Sequence, residues 1–286
     1  MRGTPTAAVT ARAETAAAAV AATAGVEVRT LTTGADLAAA AELFTVVWQT
    51  PFADHILRAF ELSGNYVAGA FEARGQLVGG SVAFASLQVD PEVHSHITAV
   101  APSHRRSGVG LALKLHQRWW ALERGFSVIS WTYDPLILRN ANFNLSRLGA
   151  RAEEYLEDVY GDMDDPLNGR DESDRLWVSW PLADPEVAEA AAGTPRRLTV
   201  PPEAVERLKP GPDGRPLALP LEEPPGHAFT CRVPEDIETL RSTDPALATA
   251  WRFALRDVLG GSLEAGYRIA GLSGEGDYVV SPPGAS

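Results

Sequence analysis

Val100-Ala-Pro-Ser-His-Arg-Arg-Ser-Gly-Val-Gly-Leu111 carries the end of a strand through a glycine-bearing turn into a helix. In the loop Arg105-Arg106-Ser107-Gly108-Val109-Gly110, the two glycines let the main chain approach a ligand without side-chain interference. The helix that follows presents its unpaired N–H groups and the positive end of its dipole to the same place. Arg105 and Arg106 add formal positive charge. Together these parts make a cradle for a pyrophosphate.

Two phosphate-binding loops are disfavoured by what stands at single positions. A dinucleotide fold spaces its glycines G-x-G-x-x-G, and the third position here is Leu113. A nucleoside-triphosphate loop ends in Gly-Lys-Ser/Thr, which is missing. The flanks are more informative. His94-Ser-His-Ile-Thr-Ala-Val-Ala101 is rich in β-formers and reads as a strand. From Gly108 to about Arg124 the spacing turns helical, with Leu111, Leu115, Trp119 and Leu122 on one stripe and Gly125 at the end. Phe126 to Tyr133 is a second strand, ended by Asp134-Pro135, and a helix from about Ile137 to Leu148 stops at Gly149.

This order, with Arg105-x-x-Gly108-x-Gly110 after a strand ending in Val-x-Pro, resembles the coenzyme A-binding half of the GNAT (GCN5-related N-acetyltransferase) superfamily. Upstream segments supply the rest of such a domain. Val26 to Leu31 suits a first strand, Asp36 to about Gln49 and Ala53 to Leu62 suit helices, and Tyr66–Glu72 and Leu77–Ala85 flank a hairpin turn at Ala73-Arg-Gly-Gln76. Arg151–Leu156 and Leu176–Trp180 are candidates for the last two strands. The resemblance covers about residues 26–182, read as an acyl-CoA-binding domain, and makes this an atypical member with a C-terminal extension. It implies an α/β (α+β) fold with a mixed, mostly antiparallel central sheet flanked by helices.

The resemblance also implies chemistry. A backbone N–H near Ala99 or Val100 polarises the acyl carbonyl, and the pantetheine arm lies like an added strand between the strands ending near Ala101 and Tyr133. The co-substrate is acetyl-CoA or another acyl-CoA, with no metal. The acceptor is a primary amine of a small molecule such as an amino acid. Succinyl is an alternative donor, because Arg175 or Arg139 can meet a second carboxylate. Many members carry a tyrosine four residues before the Gly of the Leu-Gly ending, as proton donor to the thiolate; this chain has Leu145. Tyr155 and Tyr160 are substitutes, or simple strand-packing residues. The departure at Leu145 leaves open a second function, a non-catalytic acyl-CoA-binding regulatory or scaffold protein.

His94 and His96 stand two apart on one strand and share a face, so either is a candidate base for the amine, acting near the ordinary imidazole pKa of about 6.5. The plain alternative is that both are polar residues on a half-exposed strand. Asn140 and Asn142 lie in an amide-rich helix start, placed to bond the pantetheine amides or to cap the helix. Between the last two strands, Asp162, Asp164 and Asp165 can attract an ammonium group and Arg175 can hold a carboxylate, or the run is a solvated acidic loop. It lacks the spaced ligands and terminal Glu of a calcium loop.

Composition sets outer limits. A net charge of −12 over 286 residues, with no long basic run, argues against nucleic acid or an anionic membrane as main partner. Cys231 is the sole cysteine, which rules out an intrachain disulfide and points to a reducing cytoplasm. No stretch is apolar enough to span a membrane. Residues 1–25, rich in Ala and Thr, read as a disordered tail without the apolar core of a secretory signal. Residues 183–286 read as a proline-rich linker and a small α+β extension, with a helix starting at Asp244-Pro245 and a closing hairpin from Tyr267–Ala270 and Tyr278–Ser281. The extension is a candidate cover for the acceptor site or a homodimer contact.

Overall fold

The computed structural model describes residues 5–86, 91–161, 171–219 and 226–284. The chain forms two compact units, Met1–Trp131 with Pro181–Ala192, and Thr132–Trp180 with Gly193–Ser286.

The first unit begins with helix α1 (Ala7–Thr23), where the sequence suggests a disordered tail. Thr6 caps it by accepting from the Val9 N–H, and Ala13, Ala17 and Ala21 are buried at a four-residue spacing. A stripe of alanines presents no large apolar signal, yet it lets a helix lie close against another. The strands β1 (Val26–Thr30), β2 (Tyr66–Glu72), β3 (Leu77–Ser86), β4 (Glu92–Val100) and β5 (from Val128) form a sheet in the order β1-β2-β3-β4-β5. Neighbours are antiparallel except β4 and β5, which are parallel. Helices α2 (Gly34–Trp48) and α3 (Asp54–Leu62) cover one face, around Leu37, Phe44, Leu57, Val67 and Val82.

Helix α4 (Val109–Glu123) covers the other face, with Val109 and Leu113 packed on Ala70 and Val78. At Gly79 a β-carbon would come within 2.8 Å of Val109 Cγ1, and at Gly80 within 2.9 Å of Phe44 on the opposite face. The two glycines therefore set how closely both helix layers approach the sheet. The stripe expected on α4 is only part of its buried surface. Ala112 to Arg118 is buried without a break, whereas Leu111 and Trp119 are only half-buried. The physical reason is α1, which packs along α4 and gives it a second covered side.

In the second unit β6 (Arg151–Leu156) and β7 (Arg175–Pro181) pair antiparallel. The helix expected from Ile137 to Leu148 is one α-turn, Leu138–Ala141, that widens into a π-helical segment, Asn142–Arg147. A separate sheet joins β8 (Val205–Pro210), β9 (Pro216–Ala218), β10 (Phe229–Cys231), β11 (Arg268–Leu272) and β12 (Tyr278–Ser281) in the order β11-β12-β10-β8-β9. Its β11–β12 hairpin and the helix Pro245–Leu255 correspond to the expected closing elements. Strands β8 to β10 stand where proline density suggested irregular chain. No helix among the described residues is long and apolar enough to cross a membrane.

Candidate functional site

A short 3-10 turn, Pro102–His104, leads from β4 into the cradle. Arg106 has φ +66° and Gly108 φ +93°, so the loop reverses twice in the left-handed region within three residues. Gly108 caps α4 without a side chain, which leaves the first-turn N–H groups of Val109, Gly110 and Leu111 without an intrahelical acceptor. Arg105, Arg106 and Ser107 are exposed around this opening. A β-carbon at Gly108 would lie 3.4 Å from Ala24 Cβ, so the end of α1 closes one side of the loop.

Upstream of the cradle, β4 has two different edges. Toward β3 it is paired along its length, with a bulge opposite Val82 and Ala83 that leaves His96 without a partner in the ladder. Toward β5 it pairs only through Val93↔Ile129 and His94↔Ser130. Beyond those pairs the strands part. The Ala101 N–H donates to Val78 O at 2.9 Å, so strand alternation turns the Ala99 N–H to β3 and those of Thr98 and Val100 to the open edge. Of the two residues singled out for a carbonyl contact, Val100 is the one whose N–H faces the opening.

His94 and His96 lie with ring centroids 6.4 Å apart, both against Phe84, which stacks on Phe60 of α3. Ser130 Oγ donates to Glu92 Oε1 at 2.6 Å and is 3.4 Å from His94 Nδ1. Burial, with smaller effects of His96 and Lys114, pulls the His94 pKa down to about 4. His96 is also lowered, by burial alone. Both imidazoles are therefore weaker bases than the unperturbed group that the sequence suggests.

On the opposite face of β4 is a group the sequence reading missed. Lys114 of α4 is buried and donates to Ser95 Oγ at 2.7 Å and to Gln117 Oε1 at 3.3 Å. Its Nζ lies 3.8 Å from the centroid of the Trp131 ring of β5. Gln117 Nε2 donates to Ser81 Oγ at 3.3 Å, and Ser81 Oγ is bonded to Ile97 O and Thr98 Oγ1, both at 3.0 Å. Burial lowers the Lys114 pKa to about 7. Lys114 and Gln117 stand one helical turn apart, a pattern that reads as a solvated face until α1 and the sheet are known to enclose α4.

The remaining candidates lie in the second unit. Asn140 and Asn142 are half-buried in the α-to-π segment. Arg175 is buried, donates to Asp174 O at 2.9 Å and lies 5.5 Å over the Tyr160 ring. Leu145 is buried. The Tyr155 hydroxyl donates to Asp174 Oδ2 at 2.8 Å, and burial together with that carboxylate raises its pKa well above the usual value. Tyr160 is exposed and its hydroxyl is 3.0 Å from Thr132 Oγ1. Asp162, Asp164 and Asp165 lie outside the described residues. Cys231 is buried, and burial pushes its thiol pKa far up, which removes the thiolate that a nucleophile needs.

Residues 3–135 match the family model described as Acetyltransferase (GNAT) domain. No curated protein sequence gives a significant match. Among solved structures, the chain is similar to the ribosomal-protein-S18-alanine N-acetyltransferase from Escherichia coli, with 17% identity, a TM-score of 0.44, and coverage of 55% of this chain and 94% of that one. An N-acetyltransferase from Staphylococcus aureus Mu50 is similar at 13% identity and a TM-score of 0.46, over 55% of this chain and 98% of that one.

Proposed function

We propose that this chain, whose residues 3–135 match the model of the GNAT acetyltransferase domain, moves an acetyl or other acyl group from coenzyme A to a primary amine on a small molecule. The observation that carries the reading is the single open edge of β4, which runs from the last β5 pair, His94↔Ser130, to the cradle at Gly108–Gly110. An extended arm can pair with that edge through the Thr98 and Val100 N–H groups. Its phosphates then meet the N–H groups of Val109, Gly110 and Leu111, with Arg105 and Arg106 alongside. The thioester lies toward the place where β4 and β5 meet.

In the reaction the amine nitrogen bonds the acyl carbon and the C–S bond breaks. A backbone N–H of β4 polarises the carbonyl in that step. His96, the more open of the two imidazoles, takes the amine proton directly or through water. Asn140 and Asn142 bond the pantetheine amides in this reading, and Arg175 and Asp164 meet the acceptor. A cytoplasmic location belongs to the same proposal and rests on the one buried cysteine. Leu145, at the position expected for a proton donor, favours a second reading, an acyl-CoA-binding protein without turnover.

Calorimetric titration with coenzyme A, acetyl-CoA and succinyl-CoA, beside a Gly108→Glu variant, tests the site. Binding that is lost in a folded variant supports the cradle, and the preferred thioester identifies the donor. No binding of any of the three overturns the reading. Thiol release over an amine panel then separates transfer from binding alone.

A further inference from the structure

We infer that Lys114 compensates the negative charge that acyl transfer places on the sulfur of coenzyme A, acting through Ser95 at the point where β4 and β5 part; the inference rests on the acyl-CoA reading above. Ser95 and Trp131 directly follow the last pair between the strands, His94↔Ser130. Lys114 Nζ touches both, at 2.7 Å from Ser95 Oγ and 3.8 Å from the Trp131 ring centroid. The ammonium therefore sits behind the apex of the opening.

Lys114 is 4% exposed and makes no ion pair among the described residues. The elements around it bring Glu92, His94 and His96 from β4, Tyr66 and Glu72 from β2, and His116, Arg118 and Glu123 from α4. The carboxylates have other partners: Glu92 accepts from Ser130, Glu72 is 3.5 Å from His104 Nε2 and Glu123 pairs with Arg124. Two neutral oxygens and one aromatic face are poor exchange for the water a buried ammonium gives up. Such a group is costly in the free protein and gains when an anion arrives. Burial holds its pKa at about 7 before any ligand is bound.

The reaction supplies that anion. As the amine nitrogen bonds the acyl carbon, the C–S bond breaks and its electron pair goes to sulfur. The amine proton leaves through His96, as in the reaction above, and the thiolate takes a solvent proton on release. Lys114 forms no bond. It is a positioning and charge-compensating residue, felt at the sulfur through Ser95.

The test uses the full chain and coenzyme A itself, with protein in excess so that all the thiol is bound. Ultraviolet absorbance follows thiolate formation against pH in wild type, Lys114→Met and Lys114→Arg. The bound thiol is expected to titrate about 1–3 pH units lower in wild type than in Lys114→Met, with Lys114→Arg close to wild type. Without ligand, Lys114→Met is expected to melt above wild type, because the uncompensated charge is gone. Lys114→Gln replaces it if the Met variant does not fold. Equal titration of the bound thiol in wild type and the neutral variants overturns the inference. A wild type that binds no coenzyme A overturns the acyl-CoA reading with it, and that result is seen before any variant is compared.

Discussion

Tyr66 Oη of β2 and His116 Nδ1 of α4 share a buried hydrogen bond of 2.9 Å, with Trp120 edge-on to the tyrosine at 5.2 Å. Burial lowers the His116 pKa to about 4 from an ordinary value near 6.5. The unfolded chain thus binds a proton at a higher pH than the folded one. This histidine contributes stability in full above about pH 6.5, and the contribution is lost as pH falls through about 4. His94, lowered to the same region, adds to the loss in the same window. Urea unfolding between pH 7 and 4 is expected to show falling stability, with a shallower slope in His116→Gln. An unchanged slope would mean that His116 does not carry the effect.

His94 and His96 divide the proposed proton transfer unequally. A base with a pKa near 4 is neutral at pH 7 yet accepts a proton weakly. His96, more open and lowered by burial alone, is the better acceptor. His96→Gln is expected to lower kcat/KM about 100-fold and to remove the acid limb of the pH profile, with a smaller loss for His94→Gln. Steady-state rates over pH 5 to 9 check this; full activity in the double variant would remove both histidines from the mechanism.

Arg105 and Arg106 are exposed beside N–H groups that need no side chain, so charge and backbone contribute separately to phosphate binding. Arg105→Ala with Arg106→Ala is expected to weaken coenzyme A binding about tenfold at low salt, and less at 0.5 M salt, where screening is strong. Gly108→Glu is expected to weaken it at both. Calorimetry at two salt concentrations separates them, and a double-alanine loss independent of salt would count against a charge effect.

The cradle was legible because its chemistry is local: Arg105, Gly108 and Gly110 sit in one turn, and Val109 opens the helix that completes it. Tyr66–Glu72 and Arg151–Leu156 were placed to the residue because the order of segments in the resemblance calls for a strand at each. Other features depended on neighbours distant in sequence. The alanines of α1 gain meaning only against α4, since small residues make no hydrophobic pattern of their own. Lys114 gave no signal in the sequence, because Ser95 and Trp131, which it meets, come from separate strands. His96 drops out of the ladder through a bulge, which composition does not reveal. Arg175 lies 5.5 Å from the Tyr160 ring centroid and donates to Asp174 O, contacts that residue type alone does not announce.

Ala17 makes the α1 reading testable. It is buried between Ala13 and Ala21 on the side of α1 that packs along α4. Ala17→Leu adds three carbons to a close helix contact and is expected to cost about 1–3 kcal/mol. Ala19→Leu, on the exposed side of the same helix, is expected to change stability by less than about 0.5 kcal/mol. Equal effects in urea unfolding would show that α1 is not packed in solution.

The second unit is organised around Asp134, which directly follows the last residue of β5, Tyr133. Arg252 holds both of its oxygens at 2.9 Å, and Arg241 bonds Oδ2. Asp171 accepts from the same two arginines, so two cations and two anions are buried together. The carboxyl of Asp134 is held below the usual range: burial alone would raise it, and Arg252 with Arg241 overcomes that. Arg252→Met leaves two buried carboxylates facing one guanidinium and is expected to cost about 3–5 kcal/mol. Arg252→Lys keeps the charge without the two-pronged contact and falls between. Arg139 pairs with Glu238 at an exposed position, so Arg139→Met is expected to cost no more than about 1 kcal/mol. Urea unfolding at pH 7 compares the three. Similar small losses in all of them would show that the cluster is not what holds these helices and strands together.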